Sequence, residues 1–385
     1  MPTLERSRLL AVLHESLLRS PIVALIGPRQ CGKTTLARHI ANERGATIFD
    51  LEHPVDARRL EQPMTSLMPL KGLVVIDEAQ LQPALYPVLR VLADRAENPA
   101  TFLLLGSAAP ELVRGVSETL AGRIAFVEMG GFDLSETGGN AWRTLWLRGG
   151  FPRSYLAEDE AASMAWRQDF VRTFLERDLR QHGITIPAVA LRRLWSMLAH
   201  YHGQIGNASE IGRSLGDAHT TVKRHIDILT GALVVRQLQP WHENLGKRQV
   251  KTAKLYIRDS GLLHVLLELG RSDAIEGHPK AGASWEGFCI ETILRRVGER
   301  NCWFWRTHAQ AELDLLVFRN GKRFGFEFKY ADAPGLTRSM QIAHTDLNLE
   351  RLFVIYPGSG GSYPLNDWAE VVAIDDLERA FSAMG

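Results

Sequence analysis

Cysteine is scarce in this chain: Cys31, Cys289 and Cys302 are the whole supply in 385 residues, and no Cys-x-x-Cys pair occurs. That rules out a disulfide framework and a cysteine-built zinc site, and it fits a reducing compartment. Long apolar runs are missing as well. None approaches the roughly 20 residues that a bilayer-spanning helix needs. The opening Met1-Pro-Thr-Leu-Glu-Arg6 lacks the apolar centre of a secretion signal. A cytoplasmic chain with no membrane partner is therefore expected. Net charge is nearly absent, at +1, so the chain as a whole does not announce a polyanion partner. No internal repeat or low-complexity tract appears, which excludes solenoids and fibrous arrays.

What is present is ordinary in bulk and uneven in distribution. Hydrophobic residues make up 45% and charged residues 23%, the balance of a globular protein. A length of 385 residues exceeds a single core and predicts several domains. From Thr185 to Ser260 there are eleven Lys and Arg against five Asp and Glu, whereas Met1 to Asn140 holds fourteen against sixteen. A basic segment beside a near-neutral one points to a polyanion such as DNA; local fluctuation is the plainer explanation.

The strongest local signal is Gly27-Pro28-Arg29-Gln30-Cys31-Gly32-Lys33-Thr34-Thr35, which matches G-x-x-x-x-G-K-[ST]. The apolar run Ile22–Ile26 before it reads as a buried strand, and Thr35–Ala41 after it as a helix. In that setting glycines let backbone N–H groups converge on phosphates, and the helix N-terminus adds partial positive charge. Lys33 is expected to reach the β- and γ-phosphates of ATP, and the Thr34 hydroxyl to ligate Mg²⁺.

Leu73–Ile76 followed by Asp77-Glu78 is a second buried strand, ending in the two carboxylates of a Walker B arrangement. Asp77 is expected to hold Mg²⁺ and Glu78 to orient the attacking water, since hydrolysis depends on positioning. Thr101–Leu105 leads to Ser107, placed where a polar sensor of the γ-phosphate would stand; a simple strand cap is the alternative. Arg123 is a candidate arginine finger toward a neighbouring subunit or a structural arginine paired with a carboxylate, and Arg114 is a weaker candidate for the same role. Gly149-Gly150-Phe151-Pro152 resembles the turn that leads into a helical lid and packs Pro152 on adenine; an ordinary turn is the alternative. With Thr47–Leu51 and Ile124–Glu128 as further strands, the first part reads as a parallel sheet wrapped by helices.

Helical periodicity continues from Ala141, clearest over Met164–Leu179. Beyond Ile186-Pro187 come three helical stretches: Leu191–His202, Asn207–Gly216 and His219–Thr230. Two strands, Leu233–Leu238 and Lys254–Ile257, flank the basic loop Lys247-Arg248-Gln-Val-Lys251. Three helices and a two-stranded wing make a winged helix-turn-helix. Its third helix would bring Thr220, Thr221, Lys223 and Arg224 to the major groove, with Lys247, Arg248 and Lys251 on phosphates. Domain packing or oligomerisation is the competing use of such a module.

The last signal is a hairpin: Ala311–Phe318, the turn Asn320-Gly321, then Phe324–Lys329. Asp314, Glu327 and Lys329 alternate in phase, as in restriction-endonuclease-like cores. Glu286, or less readily Glu291, can join them from a helix. Asp314, Glu327 and the Phe328 carbonyl would bind Mg²⁺, with Lys329 activating water. An amphipathic hairpin with a wet charged face shows the same alternation.

Together Gly27–Thr35, Leu73–Glu78, Leu120–Arg123, Gly149–Pro152, Trp285–Glu286, Glu312–Asp314 and Glu327–Lys329 resemble a family of prokaryotic ATP-binding proteins. These join an AAA-type ATPase to a C-terminal domain of unknown function with a restriction-endonuclease-like core. Arg29 and Leu255–Gly261 also look like family positions. The resemblance implies ATP and Mg²⁺ binding and a link to DNA. Tyr330 departs from it, because a small residue more often follows the lysine.

The expected architecture is α/β throughout. It comprises a P-loop AAA+ parallel-sheet domain (1–140), a helical lid (141–184), a winged helix-turn-helix (185–270) and a restriction-endonuclease-like domain (275–385). The expected activity is ATP hydrolysis with Mg²⁺ that remodels or translocates DNA, branched DNA in recombination or repair included. A homo-oligomer, such as a hexameric ring, would let Arg123 act in trans. An ATP-gated nuclease and a nucleotide-switched scaffold with an inactive nuclease fold are the alternatives.

Overall fold

Strands that read as unbroken apolar runs have to be covered on both faces, and that requirement organises the first part of the chain. The computed structural model describes residues 4–95, 100–107, 119–178, 186–243, 249–309, 311–358 and 360–385, without the side chains of Ser107 and Asp178. Two units emerge, residues 1–131 with 231–233, and residues 132–230 with 234–385.

In the first unit β1 (Ile22–Gly27), β2 (Thr47–Asp50), β3 (Gly72–Asp77), β4 (Ala100–Ser107) and β5 (Ile124–Glu128) form one sheet in the order β2-β3-β4-β1-β5. Every pairing is parallel. The strands lie within a residue or two of the apolar runs that predict them. Phe49, Val74, Ile76, Phe102 and Leu104 pack with Leu85 and Leu89 of the helix Leu85–Ala93 as a buried core. The sheet's carboxyl edge gathers the end of β1, the end of β3 at Asp77 and the end of β4, where Ser107 stands in register with Gly27.

The second unit begins with short helices, Trp142–Arg148 and Pro152–Tyr155, and a longer one, Glu160–Thr173, which passes into a π-helical turn at Phe174–Asp178. Asp159 caps the long helix by accepting from the Ala162 N–H. Phe151, Trp166, Phe170, Phe174 and Trp195 stack in sequence along it. Three helices follow, Ala188–His200, Ala208–Leu215 and His219–Gly231. Asn207 caps the second and Gly216 ends it in left-handed conformation.

Their sheet has three strands, not the two expected: β6 (Gln204–Ile205), β7 (Val235–Leu238) and β8 (Lys254–Ile257), antiparallel in the order β6-β8-β7. Two residues carry no readable alternation, so β6 was invisible to periodicity. Both flanks of the basic loop, whose residues 244–248 lie outside the description, pair with β9 (Cys302–Arg306) and the residue after it. The Trp241 N–H donates to the Phe304 carbonyl at 2.7 Å, the Val250 N–H to that of Arg306 at 3.0 Å, and Gln249 bridges Thr307.

The remaining strands are β10 (Glu312–Arg319), β11 (Lys322–Phe328), β12 (Arg351–Tyr356), β13 (Tyr363–Pro364) and β14 (Ala369–Ala373), in a sheet ordered β13-β14-β12-β11-β10-β9. Asn320 and Gly321 both take positive φ, 51° and 75°, which closes the β10–β11 hairpin in two residues. β11, β12 and β14 are parallel. The helix Arg338–Leu347, capped by Thr337, makes the crossover from β11 to β12.

Two histidines are sealed in this unit. His202 accepts the Ile257 N–H at Nδ1 and donates from Nε2 to the Ala283 carbonyl. His264 donates from Nδ1 to the Leu147 carbonyl and accepts the Ser284 hydroxyl at Nε2. Burial pulls both down to about 3, so both are neutral when folded and charged in the unfolded chain below about pH 6.5. The unfolded state then binds more protons, so stability is lost as the pH is lowered from about 6.5 to 3, by roughly 1.4 kcal/mol per pH unit for each histidine. Urea unfolding of the chain should lose stability over that range, and His202→Gln with His264→Gln should flatten the slope. An unchanged slope in the double variant would refute this assignment.

Candidate nucleotide site and acidic centre

The phosphate loop takes its shape from β1 and from the neighbouring chain. A Cβ on Gly27 would stand 2.2 Å from the Met129 carbonyl oxygen, so only glycine fits there. Gln30 and Gly32 adopt positive φ, and Gly32 opens the helix Lys33–Arg44. Lys33 is buried, with Nζ donating to the carbonyls of Gly27 at 3.0 Å and Pro28 at 2.9 Å. The Thr34 hydroxyl donates to Asp77 Oδ2 at 2.7 Å, joining the start of that helix to the end of β3.

Burial raises the Asp77 carboxyl above its usual range and Glu78 adds to the rise, while the Thr34 hydrogen bond works against it. Glu78 sits in left-handed conformation and receives a hydrogen bond from the Gln80 amide. Cys31 is fully buried, Thr35 is exposed, and Arg29 pairs with Glu52 at 2.8 Å. Sequence reasoning passed over Arg6, whose guanidinium donates to the carbonyls of Cys31, Gly130 and Gly131. It passed over Gln80 too. Neither belongs to the motif, and each acts through tertiary placement.

Of the outlying candidates, Arg123 makes a two-pronged pair with Asp94, Nε to Oδ1 at 2.5 Å and Nη2 to Oδ2 at 2.8 Å. That is the structural alternative foreseen for it. The contact holds the exposed Asp94 carboxyl below its usual range. Arg114 and the Ser107 side chain lie outside the described residues. Pro152 starts a short helix in the second unit. Its turn leans on Asp259, whose Oδ2 accepts the Gly150 N–H at 2.8 Å.

The hairpin candidates converge. Asp314 stands across from Glu327, since Leu315 is in register with Phe326. Asp314 Oδ2 accepts the Phe328 N–H at 3.1 Å, and Lys329 Nζ lies 2.7 Å from Glu327 and 3.9 Å from Asp314. Glu286 reaches the same place from the helix Ala281–Val297. Burial pushes Glu327 up to about 8, Asp314 pushes the same way and Lys329 pulls back. Burial raises Glu286 as well, against the pull of Lys254.

Lys254 is the residue that sequence reasoning missed. Its Nζ lies 3.0 Å from Glu286 and 3.8 Å from Asp314, and it pairs with Glu312. Burial alone would lower it, but the surrounding carboxylates outweigh that and hold it well above the usual lysine range. Its strand was legible, and Lys254 and Tyr256 share a face by alternation. Nothing in the pattern said which neighbour that face would meet. Among the described residues no three His, Cys, Asp or Glu side chains are arranged to hold a metal. The expected Mg²⁺ set of Glu286, Asp314 and Glu327 is thus one that an ammonium has entered.

Glu291, the other helix carboxylate considered, does not join this centre. It receives Arg236 at both oxygens and Arg258 Nε at 3.2 Å, and these arginines lower its carboxyl to about 2 against burial. Tyr330 packs with Trp146 and Trp285, ring centroids 5.0 Å and 5.8 Å away. A small residue after Lys329 would leave that aromatic nest unfilled. On the helix His219–Gly231, Thr220, Lys223 and Arg224 are exposed and Thr221 half-buried, while Val222, Ile226 and Leu229 face inward. Lys251 is exposed; Lys247 and Arg248 lie outside the described residues.

Comparison with known proteins agrees with the first unit's geometry. Residues 19–138 match a family model described as an AAA domain, and residues 139–273 and 281–377 match two domains of unknown function, DUF8612 and DUF4143. "Uncharacterized protein Mb2031c" of Mycobacterium bovis and "Uncharacterized protein Rv2008c" of Mycobacterium tuberculosis are each 50% identical over 374 residues, covering 97% of this chain and 85% of theirs. Among solved structures, the Walker-type ATPase PABY2304 of Pyrococcus abyssi aligns with a TM-score of 0.51 at 17% identity, over 69% of this chain and 96% of that one. At that identity the likeness concerns the fold. No helix among the described residues is long and apolar enough to cross a membrane.

The Glu291 cluster yields a stability prediction. Glu291→Ala removes the buried carboxylate that Arg236 and Arg258 share, although Arg236 keeps Glu299 at 2.8 Å, and should destabilise the second unit by about 3 kcal/mol in urea unfolding. A loss below about 1 kcal/mol, the worth of an exposed pair, would contradict the buried-pair account.

Proposed function

This chain belongs to the same family as the mycobacterial proteins Mb2031c and Rv2008c and carries an AAA-type ATPase domain; from that premise we propose that it is a DNA-associated ATPase. The observation that carries the ATPase reading is the 2.7 Å contact of Thr34 with Asp77 beside a buried lysine in a glycine-shaped cradle. Those residues fit ATP and Mg²⁺. Gly27 to Thr35 would hold the phosphates, with Lys33 leaving the Gly27 and Pro28 carbonyls to meet them. Thr34 and Asp77 would hold the metal. Bound Mg²⁺ neutralises charge on the phosphoryl oxygens. Glu78 orients the attacking water, and Gln80 fixes the Glu78 carboxylate. An Arg123 acting in trans in a homo-oligomeric ring would first have to leave Asp94.

The DNA half of the proposal rests on the second unit. Three helices and a small antiparallel sheet, whose first strand lies between the first two helices and whose other two follow the third, support a winged helix-turn-helix reading, and the third helix exposes Thr220, Lys223 and Arg224 over a buried apolar face. Phosphate contact by such residues gives affinity that falls steeply with salt. The mixed sheet with Asp314, Glu327 and Lys329 at its hairpin supports a restriction-endonuclease-like core for the C-terminal part. The nuclease alternative draws on that convergence. The basic stretch favours DNA over a protein-scaffold role.

ATP turnover measured with no DNA and with duplex, single-stranded and branched DNA tests the proposal. A DNA-stimulated rate is expected, with Lys33→Ala or Glu78→Gln lowering kcat by about a hundredfold or more. Lys223→Ala with Arg224→Ala should weaken DNA binding for all sequences and lower the salt slope by roughly 1 per lost phosphate contact. A rate indifferent to DNA, with no binding at low salt, would remove the DNA half and leave the ATPase.

A further inference from the structure

Four carboxylates, Glu286, Glu312, Asp314 and Glu327, crowd into the centre beside the β10–β11 hairpin. Lys254 enters that group from outside the hairpin's own sheet, on β8. Its side chain is 3% exposed, and Nζ is 3.0 Å from Glu286 Oε1 and 3.8 Å from Asp314 Oδ1, and pairs with Glu312 Oε1. The Phe304 ring lies 5.6 Å from the ammonium. Lys329 approaches from the other side, 2.7 Å from Glu327 and 3.9 Å from Asp314.

Several of the oxygens a metal would want are already engaged, Glu327 Oε2 by Lys329 among them. Glu286 Oε1 accepts both Lys254 and the Tyr256 hydroxyl, the latter at 2.5 Å. Asp314 Oδ2 accepts the Phe328 N–H, and Oδ1 faces Lys254. A magnesium ion needs carboxylate oxygens at about 2.0–2.1 Å in near-octahedral order. An ammonium among the same oxygens competes for that space and charge, and its tether to β8 prevents it from diffusing away. Withdrawing it would take from Glu286 the ammonium 3.0 Å away, with Lys329 remaining on Glu327 and Arg306 on Glu312, and breaking such a largely buried pair is unfavourable.

We propose that Lys254 is the permanent cation of this centre, and that the C-terminal part keeps a nuclease-like core without a divalent-metal site. This rests on the restriction-endonuclease-like reading above and turns it toward the non-cleaving alternative. The lysine takes over the task of a metal in holding the carboxylates together. It cannot take over activation of water at phosphorus, because an ammonium offers no open coordination position.

Mn²⁺ binding to the nucleotide-free full chain, followed by electron paramagnetic resonance, tests the proposal without ATP or DNA, so its outcome is separate from that of the ATPase assays. The Mn²⁺ bound by the wild type should be unchanged by Asp314→Asn. Lys254→Met should gain a site that Asp314→Asn then removes. Wild-type binding that Asp314→Asn abolishes would overturn the proposal, as would a folded Lys254→Met chain that gains nothing. Should Lys254→Met not fold, acylation of Lys254 in the wild type, read by mass spectrometry, decides. Protection with and without Mn²⁺ is expected, and labelling accelerated by Mn²⁺ overturns it.

Discussion

A charge taken out of water has to meet its partner before the chain can close over it, and the second unit is built around two such meetings. Lys254 lies among Glu286, Glu312 and Asp314, and Glu291 lies between Arg236 and Arg258. In both, the basic residues come from β7 and β8 or the residue just after β8. Both use carboxylates of the helix Ala281–Val297. The three-stranded sheet and the C-terminal sheet therefore complete each other's electrostatics. Separating them would break buried ion pairs, which costs free energy. His202 and His264 add neutral hydrogen-bonded links between the same elements and the helix Trp142–Arg148.

The first unit answers to a different constraint. Parallel strands with one strand placed between β1 and β3 bring the ends of both to one edge of the sheet. The phosphate loop leaves β1 there, and Asp77 ends β3 there, so Thr34 and Asp77 touch although 43 residues separate them. Gly27 is required because Met129 passes so close behind it. Arg6 then fixes the Cys31 carbonyl to the segment at Gly130 and Gly131. The loop is thus held by the backbone at Met129 and by the Arg6 guanidinium.

An aromatic nest accounts for the bulk of Tyr330. Trp142, Trp146, Trp285 and Tyr330 meet edge-on or tilted, and the Trp146 indole donates to Ser284, which also serves His264. Tyr330 completes this packing beside the acidic centre. Its bulk serves the core more than the chemistry of Lys329.

Much of this was legible in the residues alone. Periodicity located the five strands of the first unit, because doubly covered strands must be apolar throughout. The glycine-lysine-threonine spacing marked the phosphate loop, and Asn320-Gly321 marked the hairpin, because positive φ at two adjacent positions selects those residues. Alternation also placed Asp314, Glu327 and Lys329 together. What the sequence could not decide was who meets whom across long separations. The third strand at Gln204–Ile205 is too short to show a period. Glu286 and Glu291 look alike on one helix, yet one faces Lys254 and the other two arginines. Only the folded sheet order decides which cation each carboxylate receives, because ion pairing is a property of places brought together, not of neighbours in the chain.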